Sequence, residues 1–600
     1  MTKWRLKGSA EAPQPSLPGL DLKPKRHRLS TPHEQALSLA KVRLSVVFLL
    51  FAVTWGVIGG RLAYLSLSGD PNAPVARAEP DDNPINRADI TDRNGTVLAT
   101  SLPTVSLCAD SKSVIDPAEA AKQLLGVLPD LNPQKLSEDL QNGKHCSIIR
   151  RHLTPRQYYE VNKLGIAGLD FLPDERRIYP AGNLAAHVVG FSDIDNNGLA
   201  GIEKSMDTRL NENSKPLALA LDLRVQSVLR RELLAAMNDY RAEAATGLVM
   251  DINTGEILGM VSLPDFDPIR AGQASDDQLF NRDTLGVYEM GSTFKIFNTA
   301  LALESGTVHL ADTFDTTHPI EIGSYKIRDF EKEDRNLNVA EIFTHSSNIG
   351  SARMAERFGG VKQRAFFERL GLTEKISLEL PEVGAPLIPS AREWGEATTM
   401  TAAFGHGIAV NAVQLASAVA TIVNDGHPVH PTLLKRDDTY ERDVDTVISP
   451  HTSALIRGLM RLVVTRGTAK KADVEGYMVG GKTGTANKLA NGHYLENARI
   501  SSFIGLFPIN APKYLVFASL DNPKGNAKTK GIATAGWVVA PLVNNVVTQI
   551  APMLGMPPLA KESNEATERQ VLKPLGAEIV DGIPVDDGKD YAAVESDSVE

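Results

Sequence analysis

Three short stretches of the chain hold residue types able to move an acyl group. "GSTFK" (291–295) sets Ser292 and Lys295 three positions apart. On a helix that spacing puts hydroxyl and amine on one face, where the amine can take the hydroxyl proton, and a helix N-terminus favours negative charge developing there. "HSSN" (345–348) supplies Ser346 and Asn348, and "GKTGT" (481–485) supplies Lys482, Thr483, Gly484 and Thr485. Singly, each is a weak signal. Ser-x-x-Lys recurs by chance as a capping serine with a surface lysine, and serine-rich turns before helices are ordinarily caps. The third stretch also has a rival reading, because "GYMVGGKT" (476–483) satisfies G-x-x-x-x-G-K-[ST], the phosphate loop of nucleotide-binding proteins.

The elements around these residues favour acyl chemistry. From Ser292 to a stop at Gly306, Ile296, Phe297, Ala300, Leu301 and Leu303 surround the helix, so it is expected to be buried centrally. A lysine inside such a helix is costly unless something uses it. A phosphate loop would open a helix at Lys482. Here Gly484 and a turn at Asn491-Gly492 follow, which reads as a β-hairpin. On a strand Thr483 and Thr485 point the same way, and Gly484 lets a ligand backbone approach closely. Upstream, "LALALDLRVQ" reads as a strand, followed by a helix over 225–240 with Val225, Val228, Leu229 and Leu233 on one face. "ATGLVMDINTGEILGMVS" (245–262) reads as a hairpin around Asn253-Thr254-Gly255, which suits an antiparallel sheet better than a nucleotide-binding parallel one.

At 600 residues the chain is expected to form two or three folded units, and 42% apolar with 23% charged residues describes a globular protein. A net charge of −10 gives no support to nucleic-acid binding. The two cysteines, Cys108 and Cys146, exclude a CxxC metal site; a bridge outside the cytoplasm and two separate thiols both remain open. Residues 1–43 carry nine Lys/Arg against three acidic residues, and "LSVVFLLFAVTWGVIGG" (44–60) then runs 17 residues without a charge. That run rises roughly 26 Å, and snorkelling by Arg43 and Arg61 can complete a membrane span. The positive side places residues 1–43 in the cytoplasm and the remainder outside, where ATP is scarce. A cleaved leader is disfavoured: Ala76-Arg77-Ala78 lies too far beyond the apolar run.

Past a Pro/Ala/Asp-rich linker, "RADITDRNGTVLAT" (87–100) reads as a hairpin turning at Asn94-Gly95, and residues 117–165 as helical. "RRIYPAGNLAAHVVGFSDIDNNGLAGIE" (176–203) reads as ordered turns without evident chemistry. From 578 to 600 there are eight acidic residues and one Lys, so the end of the chain is expected to be a disordered tail.

In the order Ser-x-x-Lys, Ser-x-Asn, Lys-Thr-Gly, the three motifs resemble the active-site set of the penicillin-binding proteins and serine β-lactamases. "RNGTVLA", "RIYPAGNLAAHVVGF" with "GLAGIE", "GHGIAV" (405–410) and "TAGWVVAP" (534–541) resemble the membrane-anchored class B members over roughly 40–550. Ser346-Ser347-Asn348 is similar to the division-specific septal transpeptidases; the elongation-specific relatives usually carry an aspartate there. One departure is Met290 before Gly291, where the family commonly has proline. A lost φ restraint removes no reacting group, so activity is expected to persist.

The resemblance implies an α+β fold: a transpeptidase domain (216–550) with an antiparallel sheet and central helices, preceded by a cytoplasmic tail (1–43), a transmembrane helix (44–62) and a pedestal (63–215), and followed by an acidic tail (551–600). It implies a stem peptide ending in D-Ala-D-Ala as substrate, with Ser292 as nucleophile, Lys295 as base and Ser346 relaying a proton to the leaving amine. Asn348 would hold the substrate amide, and Thr483 and Thr485 the terminal carboxylate beside the Lys482 charge, with Gly484 between them. Backbone N–H groups of Ser292 and Thr485 would form the oxyanion hole. To be half neutral at pH 7, Lys295 would have to fall from about 10.4, a change worth roughly 4.6 kcal/mol; burial and a positive Lys482 are the expected causes. No metal, cofactor, nucleotide or nucleic acid is implied. The implied partners are β-lactams, the membrane, a polytopic septal glycan polymerase and other division proteins, at the septum of the inner membrane with the catalytic domain periplasmic. A β-lactamase is disfavoured by chain length and the pedestal; an inactive β-lactam sensor remains an alternative.

Overall fold

The computed structural model describes residues 32–67, 87–212, 215–323, 325–437, 439–490 and 493–585. Most of the basic leader, the 68–86 linker, the Asn491-Gly492 turn and residues 586–600 lie outside the described residues. Residues 1–82 and 83–600 form two units. In the first, one helix runs Pro32–Leu67; its Arg43–Arg61 stretch, mean hydropathy 1.8, is long and apolar enough to cross a membrane by length and composition.

The second unit is α+β. Its main sheet has five antiparallel strands in the order Gly480–Ala490, His493–Phe507, Tyr514–Asp521, Ala244–Asp251, Ile257–Leu263. Residues 244–250 are all buried, although successive side chains point to opposite faces, so layers must cover both sides. On one side stands the helix Leu223–Asp239, capped by Asp222; its Leu229 and Leu233 press so closely on Gly247 that a Cβ there would meet Leu233 Cδ1 at 3.1 Å. The edge strand that bears Thr485 meets a 3₁₀ turn, Gly291–Phe294, which leads into the helix Lys295–Glu304. That helix is buried from Lys295 to Ala302 among the helices Asn348–Phe358, Ala412–Val423 and Pro450–Thr465. Gly306, at φ +65°, ends it as its sequence position predicts.

A smaller core lies nearer the N-terminus, where the strand Val97–Ala109 pairs antiparallel with Ser147–Leu153 and Leu169–Ile178. Three helices, Pro117–Val127, Pro133–Asp139 and Pro155–Lys163, bury Leu124, Leu136 and Val161 against it. Thr154 and Gln157 form a capping box at the start of the third. Cys108 and Cys146 are joined by a disulfide across this lobe.

Three expectations are corrected. Residues 117–165 are not continuously helical, because Ile148-Ile149 lie in a strand recruited by the long Val97–Ala109 strand. The ladder in "LALALDLRVQ" is only Leu217–Ala218. Beyond it Leu219 donates to the Thr91 carbonyl and Ala220 to that of Leu433, so the segment changes neighbours before it can extend one pairing. The end of the chain is not structureless from 551: the helix Lys561–Leu572 and the 3₁₀ turn Lys573–Leu575 dock on Pro450–Thr465, and the helix Ala577–Gly582 packs on that turn. Leu575 and Ile583, at 2% and 1% exposure, are buried here, with Val571, Leu572, Ile579 and Val580 partly buried beside them. Gly458 makes room, since a Cβ there would come within 3.0 Å of Leu575 Cγ. Average acidity hides so sparse an apolar signal.

Candidate active site

The 3₁₀ turn and the helix it opens bring the Ser292 hydroxyl and Lys295 amine together, Nζ lying 3.1 Å from Oγ. Lys295 has no exposed surface. It also donates to Asn348 Oδ1 at 2.8 Å, to Ser346 Oγ at 3.1 Å and to the Ser346 carbonyl. Ser346 is turned inward by a left-handed backbone, φ +64°, uncommon for a residue with a side chain and found where surroundings impose it. From the sheet edge Lys482, also fully buried, donates to the same Ser346 Oγ at 2.9 Å and to the Thr483 carbonyl at 3.3 Å. One hydroxyl thus stands between two amines. Thr483 Oγ1 lies 2.9 Å from Thr468 Oγ1, and Thr485 Oγ1 accepts from the Ala535 N–H at 3.5 Å.

Backbone closeness keeps nucleophile and sheet edge together. A Cβ on Gly484 would fall 2.7 Å from the Met290 carbonyl oxygen, and one on Gly291 would fall 2.8 Å from that of Thr485. Gly291 sits at φ +55°, which side-chain-bearing residues rarely adopt. Met290 is itself buried, and its carbonyl accepts from Thr293 Oγ1 at 2.9 Å, so the segment is held without proline.

All five residues expected to act, Ser292, Lys295, Ser346, Asn348 and Lys482, meet in this hydrogen-bonded cluster, and Thr483 and Thr485 line the same cleft of about 460 Å³. The Lys-Thr-Gly stretch is an edge strand and opens no helix, so the phosphate-loop reading fails.

Burial pushes the Lys295 amine down to about 7, opposed by the negative charge of Asp329. Lys482 was expected to depress it by repulsion. The charge acting on it is instead the attractive one of Asp329, while Lys482 is itself driven well below its ordinary value by burial and by the charge of Lys295. At neutral pH a large fraction of Lys295 is the free amine. Two N–H bonds then serve the Ser346 carbonyl and Asn348, and the lone pair is left for the Ser292 proton. The rate of acylation by a penicillin should therefore fall about tenfold per pH unit below an apparent pKa near 7 and level off above it, measured as a second-order labelling rate across pH 5–9. A flat profile through that range would contradict the assignment of Lys295 as base.

Sequence reasoning missed several residues of the cleft. Asp329 follows the strand Tyr325–Ile327 within a charged run that reads as a solvated loop. His406, in "GHGIAV", is held neutral by burial, which takes its pKa down to about 4. Glu289 accepts from the Gly407 N–H at 2.9 Å and from Tyr494 Oη at 3.0 Å, tying the segment before the nucleophile to two walls of the cleft. None has a local spacing that would single it out.

The fold and this cluster define a serine acyl-transfer enzyme of the penicillin-binding class. The penicillin binding protein transpeptidase domain matches residues 245–546, and the penicillin-binding protein dimerisation domain matches 82–214. A probable peptidoglycan D,D-transpeptidase FtsI of Caulobacter vibrioides is 40% identical over 483 residues, covering 78% of this chain and 82% of the relative. A probable peptidoglycan D,D-transpeptidase PenA of Neisseria meningitidis is 32% identical over 553 residues, 86% of this chain and 93% of the relative. Among solved structures, apo penicillin-binding protein 3 of Mycobacterium tuberculosis superposes with a TM-score of 0.62 at 25% identity, covering 80% of this chain and 98% of the other. The chain belongs to the penicillin-binding transpeptidase family.

Proposed function

We propose that this chain is a peptidoglycan D,D-transpeptidase of septal wall synthesis and a target of β-lactams. The observation that carries the reading is the buried Lys295 amine, 3.1 Å from the Ser292 hydroxyl and joined through Ser346 to a second buried amine. Ser292 Oγ attacks the penultimate carbonyl of a stem peptide as Lys295 takes its proton. The developing oxyanion is met by the backbone N–H groups of Ser292 and Thr485. Collapse breaks the amide bond, and Ser346, hydrogen-bonded to both amines, hands its proton to the leaving D-alanine nitrogen and takes in exchange the one Lys295 removed from Ser292. The amine of a second stem peptide then attacks the ester carbonyl and gives a proton to Lys295; the cross-linking amide forms as the ester C–O bond breaks and Ser292 Oγ takes that proton back.

Asn348 Oδ1 has a second lone pair for the substrate amide beside its bond from Lys295. Thr483, Thr485 and Lys482 hold the terminal carboxylate, with Gly484 keeping the strand close. The Arg43–Arg61 stretch anchors the chain in the inner membrane with its N-terminus cytoplasmic. The Cys108–Cys146 bridge supports an oxidising, periplasmic setting for the remainder. A polytopic glycan polymerase and other division proteins at the septum are the proposed partners of the membrane helix and the N-terminal lobe.

The intact chain, incubated with a fluorescent penicillin, should gain a single adduct on the peptide bearing Ser292, stable for minutes or longer, and Ser292→Ala should gain none. Cross-linking of a donor and an acceptor stem peptide should depend on the same residue. Labelling that survives Ser292→Ala would sink the reading, and fast loss of the adduct to water would mark a β-lactamase instead.

A further inference from the structure

The sequence motifs account for the oxygens around Lys295 but not for what aims them. Ser346 and Asn348 sit at a bend between two helices, where a turn with φ +64° has no intrinsic preference for its geometry. The bend is gripped from outside by Asp329. Its Oδ2 accepts from Ser347 Oγ at 2.6 Å, and its Oδ1 accepts from the Ile349 N–H at 2.9 Å and from the Asn348 N–H. The carbonyl of the preceding residue, Arg328, accepts from Asn348 Nδ2 at 3.0 Å. With Nδ2 engaged there, the amide oxygen of Asn348 can only face inward, where it receives Lys295. Ser347 Oγ accepts from the Gly350 N–H at 2.9 Å, so its own proton is free for the Asp329 carboxylate. All three of those groups are donors, and a carboxylate anion, with no O–H to place, satisfies them.

We propose that Asp329 is a positioning residue for acyl transfer: its carboxylate locks the Ser346–Asn348 bend so that both side chains address the Lys295 amine, and it supplies the negative charge facing that amine. The proposal rests on the acyl-transfer reading above. Lys295 is faced from the sheet edge by Lys482, from the turn after Phe404 by His406, and from the loop by Asp329, whose carboxylate alone opposes the effect of burial on it. Removing that charge leaves Lys295 easier to deprotonate, whereas loosening the bend leaves its partners misplaced.

The test is the rate of fluorescent-penicillin acylation of the full-length chain in detergent from pH 5 to 9. Asp329→Asn should lower the plateau rate roughly tenfold and move the acid limb down by about half a pH unit or more. The limb is read from ratios of rates, so it does not depend on how much of the variant folds, and a merely structural role would leave it where it is. Ser347→Ala, which keeps the carboxylate but removes one of its anchors, should lower the plateau without moving the limb. An unmoved limb in Asp329→Asn, or a wild-type plateau in either variant, would overturn the proposal while wild-type labelling at Ser292 upheld acyl transfer. A wild-type chain that took no label would overturn both.

Discussion

Lys295→Met should slow acylation by a penicillin roughly a thousandfold while leaving the thermal midpoint of the chain unchanged or higher. The two halves have separate causes. Methionine fills the volume of the lysine stem but offers no basic lone pair to Ser292 and no N–H to Ser346 or Asn348, so the proton-transfer step loses its base. Stability should not suffer, because a lysine whose pKa falls to about 7 on folding opposes folding at neutral pH. The unfolded chain binds the proton that the folded site repels. This penalty is full below pH 7 and relieved as pH rises towards the ordinary lysine value, so any gain from Lys295→Met should shrink between pH 7 and 10. The measurements are labelling rate and thermal unfolding at pH 6 and 9. A variant that lost both activity and several degrees of midpoint would show that Lys295 is chiefly a structural hydrogen-bonding hub.

The largest expected change in stability lies far from the nucleophile. Glu203 is fully buried between Arg87 and Arg177, at 2% and 7% exposure. It accepts from Arg87 Nε and Arg177 Nε, each at 2.7 Å, and its backbone carbonyl accepts from Arg87 at 2.8 Å. Glu203→Ala would leave two guanidinium groups without their shared counter-charge in a medium that solvates them poorly, a loss of about 3–5 kcal/mol. Glu203→Leu should do no better, since apolar packing helps only when the arginines are removed too. Asp207→Ala removes a carboxylate whose side chain is 35% exposed, and is expected to lose only about 1 kcal/mol. Urea unfolding of the three variants at pH 7 distinguishes these ranks. Equal losses for Glu203→Ala and Asp207→Ala would mean that the buried triad is no more than a surface ion pair.

How much was legible followed the range of the physics. The helix from Lys295, the Lys-Thr-Gly strand, the hairpin around Asn253-Thr254-Gly255 and the capped helix after Thr154 depend on side-chain periodicity, turn chemistry and caps. Each of these acts over a few positions, and such patterns are written along the chain. Ser292 and Lys295 belong with them, since three residues of a turn bring them within 3.1 Å. That the chain carries two further motifs in order was also visible, but only through resemblance, because no local rule relates Lys482 to Ser346, 136 positions away.

Packing decided the rest. "RRIYPAGNLAAHVVGFSDIDNNGLAGIE" showed turns and no chemistry, yet Arg177 and Glu203 near its ends close a buried charge network with Arg87. Asp329 looked like one charge among many, until the fold set its carboxylate against the start of the Asn348–Phe358 helix. The depression of Lys295 came from burial, and Lys482 is pushed down in its turn by burial and by the charge of Lys295. Residue types and local spacing by themselves determined which groups could react and which elements would carry them. Tertiary structure decided which charges are buried, which stay paired and where each hydroxyl points, because desolvation and long-range contact depend on neighbours that the chain order does not name.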